Sequence, residues 1–132
     1  MKILICGLPG SGKTTLAEEL HRITRFPHMN ADYIRSMCND WDFSMEGRIR
    51  QSKRLRRLAN GFARSITDFV APTEEIRKIF DADIVIWMDT VKESKYKDTN
   101  KIFEPPYWCH YQICSKDAKK WAKFIYGSLF NE

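Results

Sequence analysis

The chain has 132 residues, 43% hydrophobic and 30% charged, with 22 Lys+Arg against 17 Asp+Glu and a formal net charge of +5. That length suits one ordinary domain and that composition a globular one, which excludes a disordered chain and leaves a single modest core. No stretch approaches the roughly 18 apolar residues of a membrane span, and the apolar opening at residues 3–6 is too short for a signal peptide, so a cytoplasmic protein without a membrane anchor is expected.

Residues 2–6 form a continuous apolar run, as a buried parallel strand requires. Residues 14–25 place Leu16, Ala17, Leu20 and Ile23 at helical spacing, and Pro27 ends that helix. Residues 29–32 read as loop, 33–37 as the start of a second helix, and the polar and aromatic stretch 38–43 as loop again. Ser44 is a candidate N-cap, with Glu46 in the first turn, for a helix running to Phe62. At about 100° per residue, Leu55, Leu58, Ala59 and Phe62 form one apolar stripe. Arg50, Lys53, Arg54, Arg56 and Arg57 fall opposite, while Arg48 and Gln51 project onto the apolar side.

Residues 48–57 hold six basic residues and no acid; removing those six from the 22 leaves 16 against 17, so one segment produces the whole charge imbalance. Its five outward charges read as a solvated face, or as a patch for nucleic acid or another anionic surface. An inward arginine needs an anionic partner, which makes Arg48 either a site residue or half of a structural ion pair.

Residues 65–70 are a candidate strand ended by Pro72, and 74–80 a short helix with Ile76, Ile79 and Phe80 available for burial. Residues 83–88 are the second strong apolar strand, closed by Asp89. The lysine-rich stretch 92–101 has no periodicity and reads as a mobile surface segment. A turn follows at 103–107 and a marginal strand at 108–114. Ser115 then caps a last helix with Ala118, Trp121, Ala122 and Ile125 inward. The four cysteines form no CxxC pair, and Cys109-His110 with Cys114 lacks a partner cluster, so reduced thiols are expected rather than zinc ligands. Alternating strand and helix predicts an α/β sandwich with a mainly parallel sheet, its ligand beyond the carboxyl ends of the strands. The loops after Cys6, Val70 and Met88 should therefore share one face.

Gly7 to Thr14 read G-L-P-G-S-G-K-T, a full G-x-x-x-x-G-K-[ST] phosphate loop between a strand and a helix. The glycines let successive N–H groups curl toward a phosphate, and the helix N-terminus adds partial positive charge. ATP is thus expected on Pro9, Gly10, Ser11, Gly12, Lys13, Thr14 and Thr15. Lys13 should reach the β- and γ-phosphates, and the Thr14 hydroxyl should hold Mg²⁺. No N-K-x-D guanine motif is present, so a GTPase is not expected. The fold expected is the P-loop NTPase-type three-layer sandwich in a single domain over residues 1–132, and a small chain carrying this loop resembles a small-molecule kinase.

Beyond the phosphate loop, Asn30-Ala31-Asp32-Tyr33-Ile34-Arg35 resembles the D-G-D-N-I-R motif of adenylylsulfate (APS) kinases. The stretch from Asn39 through Phe43-Ser44 to Arg48 and Gln51 resembles that family's N-K-D-L-G-F-S-x-x-D-R-x-x-N. Phe69-Val70-Ala71-Pro72 is similar to F-I-S-P, and Met88-Asp89-Thr90 to V-D-T. Lys95-Tyr96-Lys97 and the segment from Phe103 to Tyr107 are similar to parts of its lid, which implies a kinase domain with a short lid-like segment at about 92–107. The resemblance implies transfer of the ATP γ-phosphoryl to the 3′-hydroxyl of adenylylsulfate, giving PAPS for sulfate assimilation. It implies Asp32 as the acid beside the acceptor hydroxyl, Arg35, Arg48 and Gln51 as substrate-binding, Phe43 and Phe103 as the aromatics that sandwich the adenine, and a homodimer. Asn30 stands where the family has its first acid, and Tyr33, Gln51 and Ala71 also depart from its pattern. Two alternatives accompany this reading: another small kinase acting on a nucleoside, nucleotide or polynucleotide 5′-end, which the basic helix would suit, and a nucleotide-dependent binding or regulatory protein with little turnover.

Overall fold

A computed structural model describes residues 1–130. Five strands, β1 (Lys2–Cys6), β2 (His28–Asn30), β3 (Ser65–Asp68), β4 (Ile84–Met88) and β5 (Tyr111–Ile113), form one sheet in the order β2-β3-β1-β4-β5, with every neighbouring pair parallel. Six helices connect and cover them: α1 (Lys13–Thr24), α2 (Ala31–Cys38), α3 (Met45–Asn60), α4 (Glu74–Phe80), α5 (Lys97–Ile102) and α6 (Ala118–Phe130).

The period-2 alternation of β1 divides the core into two layers. Ile3 and Ile5 pack with Leu16, Ala17 and Leu20 of α1 and Ala122 and Ile125 of α6. Leu4 and Cys6 face the other way, toward Leu55 and Ala59 of α3 and Ile76 and Phe80 of α4. Each fully buried Leu, Ile or Phe side chain contributes about 1.5–3 kcal/mol, so the central strand fixes the α/β/α sandwich that the alternation predicted. No described helix is long and apolar enough to cross a membrane.

Helix starts follow local chemistry. Asn30, Ser44 and Thr73 each accept the backbone N–H three residues on, capping α2, α3 and α4. α1 ends as expected before Pro27, with Arg25 in the left-handed region at φ 63°.

Four expectations need correction. Of residues 29–32, expected as loop, 29 and 30 belong to strand β2 and 31 and 32 to helix α2: a three-residue strand is too short to display a period, and only pairing with β3 defines it. Residues 97–102 are helix α5 rather than a mobile stretch. A polar bracket holds that segment, with Ser94 N–H and Oγ donating to Asn100 Oδ1 (2.8 and 2.7 Å) and Asn100 Nδ2 returning to the Ser94 carbonyl (2.8 Å), so no apolar period was there to read. Leu55 and Ala59 of α3 are buried, but Leu58 is 40% exposed, and the helix ends at Asn60, short of Phe62, which is 49% exposed. The inward face instead runs through Gly47, Arg48, Gln51 and Ser52. Finally, α6 begins at Ala118, its first turn closing on the Asp117 carbonyl, while Ser115 Oγ receives the Trp121 indole N–H at 2.9 Å.

Candidate active site

The loop from Gly7 to Gly12 leaves the carboxyl end of β1 between β3 and β4. A side chain at Gly7 would place its Cβ 2.6 Å from the Met88 carbonyl oxygen, so only glycine lets the loop lie this close to β4. Gly12 stands at φ 95° immediately before α1, where a side chain would be strained. The loop is pinned from both neighbours: Gly7 N–H reaches the Val70 carbonyl at 3.4 Å, and Thr90 Oγ donates to the Ser11 carbonyl at 2.7 Å. Thr90 belongs to the M-D-T segment, which thus braces the phosphate loop.

Pro9 and Gly10 lie at the open rim, and Thr14 and Thr15 are exposed at the start of α1. No acid of α1 itself occupies its first turn, so the helix contributes its partial positive charge to the loop. Lys13 Nζ donates to the Leu8 carbonyl at 2.9 Å, curling back over its own loop. Burial pushes this ammonium below its usual pKa, with Asp68, Cys6 and Asp32 opposing that shift. A phosphate would replace a neutral carbonyl with a full charge at that position.

Sequence reasoning did not single out Asp68. It ends β3, is 2% exposed, and accepts the Thr14 hydroxyl on Oδ1 at 2.9 Å. Asn30 Nδ2 donates to both the Thr14 oxygen and Asp68 Oδ1 at 3.1 Å, and His28 Nε2 lies 2.5 Å from Asp68 Oδ2. A strand-ending acid in an otherwise buried four-residue strand was the available signal. The Thr14 hydroxyl and the Asp68 carboxylate are hard oxygen groups of the kind Mg²⁺ takes, and the Asn30 and His28 nitrogens act on them as hydrogen-bond partners. Ser11 Oγ, buried and without a hydrogen-bond partner among the described residues, lies in the loop a phosphate would fill.

Across the cleft from this loop, α2 and α3 build a second cavity. Asp32, Arg35, Phe43, Arg48 and Gln51 line it together with Val70 and Pro72. Asp32, an exposed carboxylate, is part of that lining, and its charge acts on both Lys13 and Arg35. Arg35 and Arg48 are 4% and 7% exposed, and burial lowers the pKa of both. Arg35 Nη1 donates to the Asp40 and Asp42 carbonyls at 2.9 and 3.1 Å, and its guanidinium stacks 4.5 Å from the Phe43 ring. Arg48 donates through Nε to the Phe43 carbonyl (2.9 Å) and through Nη2 to Thr99 Oγ on α5 (3.0 Å). Gln51 donates to the Ala31 carbonyl at 2.9 Å, tying α3 to α2.

The inward projection of Arg48 and Gln51 is thus observed. Phe103 is not brought to this cavity: its ring lies under Arg77, at 5.7 Å. Ala71, in place of the resembled serine, is fully buried at φ 46°, a conformation that costs a non-glycine residue energy where the chain turns past the cavity. The outer face of α3 is not merely solvated: Arg50 and Arg54 bind Asp40, leaving Lys53, Arg56 and Arg57 exposed.

A phosphate loop on an all-parallel sheet, facing a cationic cavity across the strand ends, defines a nucleotide-binding protein of kinase-like P-loop fold. Residues 3–105 match the AAA domain family, and the chain belongs to it. No curated protein sequence matches the chain. Among solved structures, the APS kinase of Mycobacterium tuberculosis in complex with AMPPNP and APS is 17% identical over 94% of each chain, with a TM-score of 0.79. Shikimate kinase from Acinetobacter baumannii in complex with shikimate is 20% identical over 97% of this chain and 92% of its own, TM-score 0.69. A gluconokinase from Sinorhizobium meliloti 1021 is 12% identical over 97% of both, TM-score 0.66. These likenesses establish the fold.

Proposed function

We propose that the protein is an ATP-dependent kinase that phosphorylates the 3′-hydroxyl of adenylylsulfate, giving PAPS, and that it acts as a homodimer. The observation carrying this reading is the pair of buried guanidiniums, Arg35 and Arg48, lining one cavity with Asp32. Adenylylsulfate offers a sulfate-bearing anion for two cations and a purine for the Phe43 ring. Gln51 and Phe103 are assigned to the same substrate by resemblance, Phe103 requiring a rearrangement of the segment around it to reach the ring.

In the proposed reaction the acceptor oxygen attacks the γ-phosphorus, the bond from that phosphorus to the β,γ-bridging oxygen breaks, and the hydroxyl proton passes to the Asp32 carboxylate. Lys13 holds the γ-phosphoryl oxygens as charge shifts toward ADP. Mg²⁺, held at Thr14, would neutralise the β- and γ-phosphates. The exposed Lys53, Arg56 and Arg57 favour a second acceptor, a polynucleotide 5′-end. A coupled ADP-release assay decides between them. Release stimulated by adenylylsulfate supports the proposal. Release with 5′-hydroxyl oligonucleotides alone moves the assignment to the second acceptor, and no stimulation by either leaves a nucleotide-dependent binding role.

A further inference from the structure

The register of the sheet sets His28, Met29 and Asn30 of β2 opposite Ile66, Thr67 and Asp68 of β3. Met29 points into the core beside Leu55. His28 and Asn30 therefore share the opposite face, the one from which both reach Asp68. Asn30 stands where the resembled D-G-D motif carries its first carboxylate, yet a carboxylate is present at that level of the sheet: Asp68, the direct pairing partner of Asn30.

Three protein groups reach the Asp68 carboxylate. Oδ1 takes the Thr14 hydroxyl and the Asn30 amide, and Oδ2 takes His28 Nε2–H. A buried carboxylate needs such donors, and removing one leaves charge uncompensated. These donors also fix direction. With Oδ2 held by His28, rotation about Cβ–Cγ is blocked and Oδ1 stays aimed at Thr14. The Thr14 hydroxyl proton is then committed to Asp68 and one of its lone pairs to the Asn30 amide, which leaves the other lone pair for the cleft.

We propose that His28 is a positioning residue for the divalent-cation end of the nucleotide site: by locking Asp68 it orients the Thr14 hydroxyl toward the cation, and this His–Asp pair across β2 and β3 replaces the acid absent at Asn30. The inference rests on the nucleotide-site part of the functional reading and is independent of the acceptor. Partners behind a metal ligand change metal affinity by roughly 10–100-fold when lost.

The test is calorimetry of ADP binding with Mg²⁺ and with EDTA on the wild-type chain and on His28→Phe, His28→Asn and His28→Gln. The Gln amide can donate from nearly the reach of Nε2, and the Asn amide cannot. Wild type should bind ADP more tightly with Mg²⁺. His28→Phe and His28→Asn should lose 10-fold or more of that enhancement with metal-free affinity unchanged, and His28→Gln should recover most of it. Circular dichroism checks folding, and if the Phe variant is unfolded the Asn variant decides. An unchanged Mg²⁺ enhancement, or an equal loss with and without metal, overturns the proposal. Wild type that fails to bind ADP at all overturns the nucleotide-site reading itself, and this proposal with it.

Discussion

Lys13 and Asp68 mark what one residue reveals alone and what it reveals only in company. The role of Lys13 is local: the glycines before it and the helix after it are contiguous, so eight residues of sequence specify a phosphate cradle. Asp68 carries no local signature. Its meaning comes from Thr14, Asn30 and His28, which only folding brings to it. Arg48 lies between these cases, since helical periodicity placed it inward but could not name Phe43 and Thr99 as its hydrogen-bond partners. At this scale Lys13→Ala tests the cradle. It should lower kcat for phosphoryl transfer by on the order of 10²–10³-fold or more while leaving the fold intact, because a charge-stabilising donor is lost from the transition state. Steady-state kinetics with circular dichroism on the same sample measure both.

At the scale of elements, α3 organises the acceptor side by gripping the loop before it. Arg50 donates to Asp40 at 2.9 and 3.1 Å and to Asp42 at 3.1 Å, and Arg54 donates to Asp40 at 2.9 Å. That clamp holds the loop carrying Phe43 over Arg35. The amphipathic pattern located the helix and its Ser44 cap, but it treated Arg50 and Arg54 as solvent-facing because their partners lie in a segment without periodicity. Hydrogen bonds from Arg50, then from Arg54, hold the Asp40 carboxyl well below its usual pKa. A depressed folded-state pKa contributes stability above the unfolded carboxylate value, near 4, and that contribution disappears as pH falls through the folded value. Asp40→Asn should therefore melt earlier than wild type at pH 7, with the gap narrowing below about pH 4, as thermal melts across pH would record. Gly47→Ala probes the same junction sterically. Its Cβ would lie 2.1 Å from the Asp42 carbonyl oxygen and 2.5 Å from Asp42 Cγ. Overpacking of this kind costs about 1–3 kcal/mol, so denaturant melts should register a loss of that size although alanine is the better helix former.

For the whole molecule, the parallel sheet order puts β1 between β3 and β4, so the phosphate loop, the β3–α4 turn and the Thr90 brace meet at one end. Alternating strand and helix made that arrangement legible, because parallel pairing needs crossover helices and ligands then collect at strand ends. The contact between α5 and the cavity was not legible, since it depends on one hydrogen bond from Arg48 to Thr99. Through that bond one guanidinium touches both α5 and the space proposed for the acceptor anion. Ligand binding to the native state raises stability by about 2.7 kcal/mol at a hundred times Kd, which melting temperature detects. A non-hydrolysable ATP analogue should stabilise wild type, and adenylylsulfate should add a second increment. Arg48→Ala lowers the unliganded melting point as well, so the quantity to compare is the increment each ligand produces. The variant should keep the increment from the ATP analogue and lose most of that from adenylylsulfate, with KM for adenylylsulfate rising 10-fold or more, equivalent to about 1.4 kcal/mol. If both increments survive, Arg48 serves only to dock α5 and the acceptor anion must be held elsewhere.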